Sequence, residues 1–317
     1  MRHHARAAEL TAARGSARPE IFIMPETLSL FLAPSVAVLL LLFYINLRVA
    51  SPVLAIPIRW LRWILFALFA AQTNEQFAWI DRPFWAVAAA VFLLWFLLES
   101  GFNWLKVSAI SLSPMPLFPR YVVNSSGDEW PTQQRLLKVR DWLRDNGFTP
   151  VQALKAELGG GIWLRTSVYH NHDGTLRLHV LFVPQENGAI TVCFSLATRT
   201  GRGRRYVTDN LYIPFGGFYP ESWHVERSPW RRSLAGLVAR HQERVRRDGD
   251  PLQAWAISPI DDINQQQQQM EMINTELGYL LPHAEREEYG KITPEGRFRI
   301  WKEAWLLDYL GIAGRYQ

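Results

Sequence analysis

The sequence is almost without cysteine. Cys193 is the only one among 317 residues, so an internal disulfide is excluded and a reducing compartment is consistent with the composition. It lies between Val192 and Phe194 in "TVCFS". A nucleophilic cysteine needs a histidine partner and a lowered pKa, so this apolar setting favours a structural thiol over a catalytic one.

Charge is missing from a long stretch near the N-terminus. Thr27 to Leu47 is a run of 21 residues without Asp, Glu, Lys or Arg. At a rise of about 1.5 Å per residue, a helix of this length covers about 30 Å, the thickness of the hydrocarbon core of a bilayer. The run is too long for a signal peptide and no small-x-small cleavage site follows it, so we expect a transmembrane helix.

Two further apolar segments follow. The run from Arg82 to Ser100 contains 16 consecutive uncharged residues and predicts another span. The segment from Leu61 to Ile80 has a shorter uncharged core, so we expect it to span, with a helix lying in the interface as the open alternative. Tryptophan is a residue type that prefers membrane interfaces. Six of the 14 tryptophans lie in this part of the chain: Trp60, Trp63, Trp79, Trp85, Trp95 and Trp104. The sequence therefore predicts two or three transmembrane helices within residues 27–105.

Positive charge predicts the orientation of these helices. Arg48, Arg59 and Arg62 lie in or beside the loop after the first span, and the positive-inside rule puts this loop in the cytoplasm. With three spans, the chain after Lys106 is then cytoplasmic; with two spans, an N-terminus inside also leaves it in the cytoplasm. We expect a multi-pass protein of a bacterial-type inner (plasma) membrane.

With the loop after the first span in the cytoplasm, the tail over residues 1–26 lies outside the cell. This conflicts with its four arginines, which the positive-inside rule would keep in the cytoplasm. We interpret Met24, in "MPETLSL", as a candidate translation start that would remove most of the tail. Met1 and Met24 both stay open as the start.

The part from residue 106 onward has the composition of an α+β protein. Three prolines between Ser111 and Arg120 predict an extended linker over residues 106–130. A helix over about 131–145 is followed by "TPVQALKAEL", which is ambiguous but favours a strand. Alternating apolar patterns then predict strands over residues 162–170, 175–183, 189–198 and 204–213. We expect an antiparallel meander with helices packed on one face, in a cytoplasmic α+β domain over residues 131–260.

The C-terminal region over residues 261–317 is predicted to be helical. A helix expected from Pro229 to about Arg247 precedes this region. Within it, one helix is expected over about 261–281 and a last one capped by Thr293 and ended by Gly311. The five glutamines at 265–269 form a polar helical face in this interpretation. Asp261 and Asp262 precede a helix, where carboxylates bind free N–H groups.

The segment "RTGRGRRYV" (199–207) combines two glycines with four arginines. It lacks the Lys-Ser/Thr end of a P-loop and the spacing of a dinucleotide-binding turn, and no nucleic-acid motif surrounds it. Because it lies between two predicted strands, we expect a solvated hairpin turn. The alternative is contact of Arg202, Arg204 and Arg205 with anionic lipid headgroups or another anion.

Charge is unevenly distributed along this part of the chain. Residues 199–247 contain 11 Lys or Arg against 4 Asp or Glu, whereas residues 248–317 contain 6 against 12. The basic middle and the acidic end are expected either to pair within the fold or to leave the basic part facing anionic lipid.

The segment "YHNHDG" is the one candidate metal site. His170, His172 and Asp173 are close in sequence, but Asp173 directly follows His172, so the H-x-H-x-D-H metal-binding pattern is not matched. A hairpin turn explains the same residues. His179 and His241 alternate with apolar neighbours and are expected to be buried, and no cofactor is predicted.

These observations predict a function that is mainly non-enzymatic. We find no cluster of acid, base, nucleophile or metal ligands, and therefore expect a membrane-anchored binding, scaffold or regulatory module with the bilayer, and not nucleic acid, as its partner. The alternative is a membrane-bound hydrolase with a site assembled from scattered residues around His170, His172 and Asp173. Transport is disfavoured, because Glu75 near an interface is the one charged residue expected in the spans.

Overall fold

Three apolar helices begin the part of the chain that the computed structural model describes, which is residues 26–49, 51–127, 130–184 and 190–316. They are α1 (Glu26–Val49), α2 (Pro52–Phe77) and α3 (Phe84–Leu112). Each contains a segment long and apolar enough to cross a membrane, over Phe31–Arg48, Val53–Phe77 and Phe84–Leu112. Together they indicate a membrane protein. The predictions for the N-terminal tail and for Met24 lie outside the described residues.

The chain forms two compact units. The first holds the described residues of Met1–Val49 and Leu61–Phe92, and the second those of Ala50–Trp60 and Leu93–Gln317. In the first unit the indole of Trp63 is fully buried and meets Phe92 edge-on at 6.0 Å between ring centroids. The second unit contains the sheet, the later helices and one end each of α2 and α3.

Helix α3 continues into the segment for which the prolines predict an extended linker. It ends at Leu112. In this last part of the helix Val107, 5% exposed, packs into a buried cluster with residues from the C-terminal part of the chain: Tyr279, Leu280, Ile292 and Ile300. The backbone N–H of Lys291 also donates to the carbonyl of Ser111 at 3.0 Å. Residues 106–112 are therefore helical, and the non-helical connection begins after Leu112.

One sheet contains the nine strands of the described residues. They are β1 (Tyr121–Val123), β2 (Thr149–Gly159), β3 (Ile162–His170), β4 (Leu176–Pro184), β5 (Ile190–Thr200), β6 (Arg205–Asp209), β7 (Trp223–Arg227), β8 (Leu252–Gln253) and β9 (Arg315–Tyr316). Their order is β1-β2-β3-β4-β5-β6-β7-β9, and β8 pairs with the end of β5. The pairs from β2 to β6 are antiparallel, which confirms the predicted meander.

Two features of the sheet differ from the prediction. Strand β6 ends at Asp209 and not near 213, because the carboxylate of Asp209 accepts the backbone N–H of Leu211 at 3.1 Å and turns the chain out of the sheet. Strand β7 then returns parallel to β6 after a crossover, so the sheet is mixed.

Helices cover both faces of the sheet, not one. They are α4 (Gln134–Asp145), α5 (Leu234–Asp248), α6 (Pro259–Glu276), α7 (Arg286–Tyr289) and α8 (Pro294–Leu310). On one face Leu178 and Leu196 pack with Leu143 and Leu237 of α4 and α5. On the other, strand residues pack against α6, as Val168 does with Ile263. Successive strand residues point to opposite faces, so long apolar strands such as β4 require cover on both.

The helix ends follow their capping residues. Ser233 caps α5 by accepting the N–H of Gly236, so this helix begins later than Pro229. Helix α6 begins at Pro259 after its cap Ser258 and contains the glutamine run. Helix α8 begins and ends as predicted, with Thr293 at its N-cap and Gly311 in the left-handed conformation at its C-cap. The α+β class predicted from the sequence is confirmed.

Candidate functional site

The segment "RTGRGRRYV" forms the hairpin between β5 and β6. The N–H of Thr200 donates to the carbonyl of Arg204 at 2.9 Å, and Gly203 takes a φ of 80°, which favours glycine. Arg202 and Arg204 both pair with the buried carboxylate of Asp250, at 3.2 Å from Arg202 Nη1 and 2.8 Å from Arg204 Nε. Only part of the predicted set of three arginines therefore lies at the hairpin surface.

Arg205 points into the protein. It is 7% exposed, and its Nη1 and Nη2 each donate to the carboxylate of Asp262, at 3.0 Å, in a bidentate pair. A guanidinium held in this way is not exposed at the hairpin tip with those of Arg202 and Arg204. Asp262 lies in the first turn of α6, so the basic middle of the chain pairs with its acidic end.

Arg177 of β4 binds the same carboxylate. It is fully buried, and it donates from Nη1 to Asp262 at 2.9 Å, from Nη2 to the carbonyl of Ile257 at 2.7 Å and from Nε to His170 Nε2 at 2.9 Å. Burial by itself would raise the pKa of Asp262, but the hydrogen bonds from Arg205 and the charges of both arginines outweigh it and lower that pKa. Asp262 is thus a buried, ionised carboxylate shared by two guanidinium groups.

Trp255 lies among three guanidinium groups. The Cζ atoms of Arg177, Arg205 and Arg199 are 4.2, 5.0 and 5.7 Å from its ring centroid, within the range of cation–π contacts. Its backbone N–H donates to the carbonyl of Gly174 at 2.9 Å, which fixes the segment after β8 against the β3–β4 turn. We call Arg177, Arg199, Arg205, Trp255 and Asp262 the arginine cluster. With three guanidinium groups and one carboxylate, its net charge is +2.

The residues of the candidate metal site do not form a metal-binding group in the described structure. His170 accepts a hydrogen bond from Arg177, and its pKa is lowered by burial and by the charge of that arginine. His172 and Asp173 are exposed in the turn after β3. Over the described ranges, the chain contains no group of three or more His, Cys, Asp or Glu side chains that could hold a metal ion. The hairpin-turn interpretation fits where these residues lie.

The other two singled-out histidines are buried. His179 and His241 are 7% and 1% exposed, and burial lowers the pKa of each to about 3, so both are neutral at physiological pH. Both ring nitrogens of His241 lie 2.9 Å from a threonine hydroxyl, Nε2 from Thr198 and Nδ1 from Thr208. This histidine bridges β5 and β6 to α5.

A pocket opens beside His241. Its volume is about 420 Å³, and it lies between the β3–β4 turn, α5 and the segment after α5. Asn171, Asp173, Thr198 and Gln242 contribute polar groups to its lining, and Val245 contributes apolar surface. The arginine cluster is on the opposite face of the sheet, because Arg177 alternates with Leu176 and Leu178 along β4.

A second polar cluster joins the C-terminal helix to α2. The guanidinium of Arg59 pairs with Asp308 at 3.2 Å and also donates to its carbonyl at 2.7 Å. Trp60 Nε1 donates to the carbonyl of Tyr309 at 2.8 Å. These contacts hold the end of α8 against the beginning of α2.

The same end of α8 binds α3. The hydroxyl of Tyr309 donates to Glu99 at 2.9 Å and accepts from Asn103 at 3.3 Å. Trp301 Nε1 donates to the carbonyl of Ser100 at 3.1 Å. Glu99 lies inside an apolar helix, four residues before Asn103 on the same helical side, and this spacing is the signal that the sequence interpretation overlooked.

Comparisons of the chain with protein-family models, with curated proteins and with solved structures found no match. The fold and the apolar helices therefore define the class on their own: a membrane protein with an α+β domain built on a mixed sheet.

Sequence reasoning missed the centre of the arginine cluster. It named Arg205 but not Arg177, Arg199 or Trp255, and it assigned Asp262 only to helix capping. One signal was available: Arg177 and His179 are two residues apart in the apolar strand "TLRLHVLFV", which places two polar side chains on the same covered face. The partner Asp262 is 85 positions away from Arg177 and could not be read from spacing.

Proposed function

We propose that this protein is a membrane-anchored binding module whose sheet domain is held at the cytoplasmic surface of an inner membrane. The observation that carries the proposal is the docking of α8 on α2 and α3 through Arg59–Asp308, Trp60–Tyr309 and Tyr309–Glu99. A domain joined only by a flexible linker would not need this set of directional contacts. The geometry supports an anchor that also orients the domain.

The same contacts support the predicted topology. The beginning of α2 and the end of α3 both contact α8, so the two helix ends lie on the same side of the bilayer. If the start of one helix and the end of the next lie on the same side, the two helices cross the membrane in opposite directions. With Arg48, Arg59 and Arg62 near the start of α2, the positive-inside rule favours the cytoplasmic side for that end and for the sheet domain.

A binding role is favoured over catalysis by the chemistry of the polar groups. In the described residues His241 has both ring nitrogens within hydrogen-bond distance of hydroxyls, and Asp262 is bound by two arginines. Groups that already have such hydrogen-bond or ion-pair partners are poorly suited to proton transfer, because a general base needs a free lone pair and a pKa near the working pH. Guanidinium groups on an accessible surface are suited to ligand recognition.

The second candidate is a membrane-bound hydrolase, and one observation favours it. Thr198 lies in the lining of the 420 Å³ pocket with its hydroxyl 2.9 Å from His241 Nε2, the arrangement of a nucleophile and its base. The lowered pKa of His241 opposes this role. Hydrolysis of p-nitrophenyl esters that is lost in Thr198→Val but kept in Thr200→Val would support the hydrolase, and no hydrolysis by the wild-type protein would reject it.

The binding-module proposal is tested first by sidedness. Cys193 is buried and is the only cysteine, so Cys193→Ser gives a background for single-cysteine labelling. Leu252→Cys reports on the sheet domain and Trp79→Cys on the connection between α2 and α3, since these side chains are 49% and 71% exposed. We expect a membrane-impermeant maleimide to label Leu252→Cys only in inverted inner-membrane vesicles and Trp79→Cys in spheroplasts.

The opposite labelling pattern, or labelling of both positions from one side, would overturn the proposed topology. Release of the protein from washed membranes by high salt would overturn the proposal that it is anchored in the membrane.

A further inference from the structure

We propose that Arg199, Arg205 and Trp255 form a binding site for a phosphate-type oxyanion. This inference deepens the binding role proposed above and rests on it. The sequence predicts an anion contact at the tip of the hairpin. The proposed site instead uses Arg199 and Arg205, where the chain enters and leaves the turn.

The first argument is charge. Arg199 and Arg205 are directly paired across β5 and β6, and like charges at such positions repel each other. Asp262 accepts from Arg205 and Arg177 together, and in the described part of the chain Arg199 forms no ion pair. A bound anion would compensate the net charge of +2 that remains in the cluster.

The second argument is unsatisfied donors. Arg205 Nε and Trp255 Nε1 are buried, and within the described segments neither has a hydrogen-bond partner. Both groups are donors only, and a buried donor without an acceptor is unfavourable. Both belong to the arginine cluster, and a ligand that offers several acceptor oxygens would give each of them a partner. Phosphate has such oxygens, and guanidinium groups bind it in bidentate geometry.

The third argument is access. Arg199 is exposed and Trp255 is half-buried, so the cluster has one side open to solvent. Arg205, held by the carboxylate of Asp262, is pre-organised and does not have to be ordered on binding. The site therefore combines one buried guanidinium held by Asp262, one exposed guanidinium and an indole N–H.

The chemistry fits two sources of the oxyanion, a free phosphate compound and the phosphate of a lipid headgroup. Both present the same acceptor oxygens. Only the location of the ligand distinguishes them, so the experiment has one arm for each.

In the first arm, the full-length protein in detergent is titrated with inorganic phosphate by isothermal calorimetry at constant ionic strength. We expect saturable binding. Arg199→Gln should weaken it by about tenfold or more, the effect of losing one charge-assisted hydrogen bond. The matched control is Arg202→Gln, which removes another exposed arginine of the same hairpin and should leave the affinity unchanged.

Trp255→Phe gives an independent variant. It keeps an aromatic ring for the guanidinium groups but removes the Nε1–H donor, so we expect weaker phosphate binding with an unchanged melting temperature. Arg205 is not replaced, because its loss would leave the buried Asp262 with fewer partners and destabilise the domain.

In the second arm, the protein is reconstituted in nanodiscs of phosphatidylcholine, with or without phosphatidic acid. Phosphatidic acid that competes with free phosphate, in the wild type but not in Arg199→Gln, would assign the site to headgroups. Phosphate binding without competition would assign it to a soluble ligand. Both results support the site.

The site is overturned if phosphate and phosphatidic acid both fail to bind, or if Arg202→Gln weakens binding as much as Arg199→Gln. Neither result would change the labelling pattern of Leu252→Cys, so failure of the site can be distinguished from failure of the membrane-anchored module.

Discussion

At the scale of single residues, Asp262 links two strands of the sheet domain through its carboxylate. It is 4% exposed, and its two oxygens hold Arg177 and Arg205, which come from different strands. Removing one partner of a buried ion pair leaves the other charge uncompensated, and this costs more than the pair contributes to stability. Here one substitution would leave two guanidinium groups without their carboxylate.

We predict that Asp262→Asn lowers the free energy of unfolding by about 3–5 kcal/mol. Chemical denaturation of the detergent-purified protein, followed by circular dichroism, measures this change. The control is Asp261→Asn, because Asp261 is exposed and its carboxylate accepts from the hydroxyl of the helix cap Ser258 at 2.6 Å. Its effect should be below about 1 kcal/mol. Equal effects of the two variants would contradict the assigned role of Asp262.

His241 predicts how stability depends on pH. Its pKa is about 3 in the folded protein against 6.5 for an ordinary histidine, so the unfolded chain binds more protons between these values. The stability that His241 contributes is complete above pH 6.5 and is lost as the pH falls through this window. At pH 5 the loss amounts to about 2 kcal/mol. The carboxyl of Asp209, whose pKa burial raises to about 6, acts in the opposite direction.

We therefore expect the difference in unfolding free energy between pH 7 and pH 5 to change by about 2 kcal/mol in His241→Gln. Asp209 contributes equally to both proteins and cancels in the comparison. His172→Gln, which removes an exposed histidine, serves as the control. An unchanged pH dependence in His241→Gln would show that its imidazole is not held neutral by burial.

At the scale of elements, the end of α8 determines how the helix is docked. Gly311 terminates it with a φ of 69°, and a Cβ added there would lie 3.2 Å from both Ile56 Cδ1 and Trp230 Cζ2. Trp230 Nε1 also donates to the Gly311 carbonyl at 2.8 Å. Glycine is needed here both for its backbone conformation and for the close approach of α2.

We predict that Gly311→Ala destabilises the C-terminal helix more than Gly249→Ala does. Both glycines cap a helix with a similar positive φ, so each substitution costs about 1–2 kcal/mol in strain. Only Gly311 is crowded, since a Cβ at Gly249 meets nothing within 4 Å. Limited proteolysis of the C-terminal region, compared for the two variants, measures the difference. Equal cleavage would mean that contact with Ile56 does not matter.

At the scale of the whole molecule, the C-terminal end of α8 contacts two helices that are long and apolar enough to cross a membrane. Tyr309 bonds residues of α2 and α3 within their candidate spans, and Leu310 next to it is 58% exposed. An exposed leucine at this level is favoured by lipid rather than by water.

We predict that a nitroxide on Leu310→Cys, in the Cys193→Ser background and in nanodiscs, is relaxed more by oxygen than by a water-soluble nickel reagent. Leu252→Cys has similar exposure, at 49%, but lies in the sheet domain and should show the opposite preference. If both labels were equally accessible to the nickel reagent, α8 would lie above the membrane and the anchor would be α1–α3 alone.

Several elements could be predicted because their signals are local. The three apolar helices follow from runs of uncharged residues, and the meander from alternation along β3, β4 and β5. The caps Thr293 and Gly311 are defined by residues within one helical turn. Strand β7 could not be predicted as the parallel neighbour of β6, because nothing local to Trp223–Arg227 specifies its partner.

By itself, the sequence determined the apolar helices, the α+β class and the hairpin at 199–207, since each depends on neighbours a few positions apart. Only the tertiary structure decided which arginines of that hairpin face solvent. Arg205 meets Asp262 across 57 positions, and Tyr309 meets Glu99 across 210. The physical reason is that a buried charged or polar group must find its partner wherever the fold brings one.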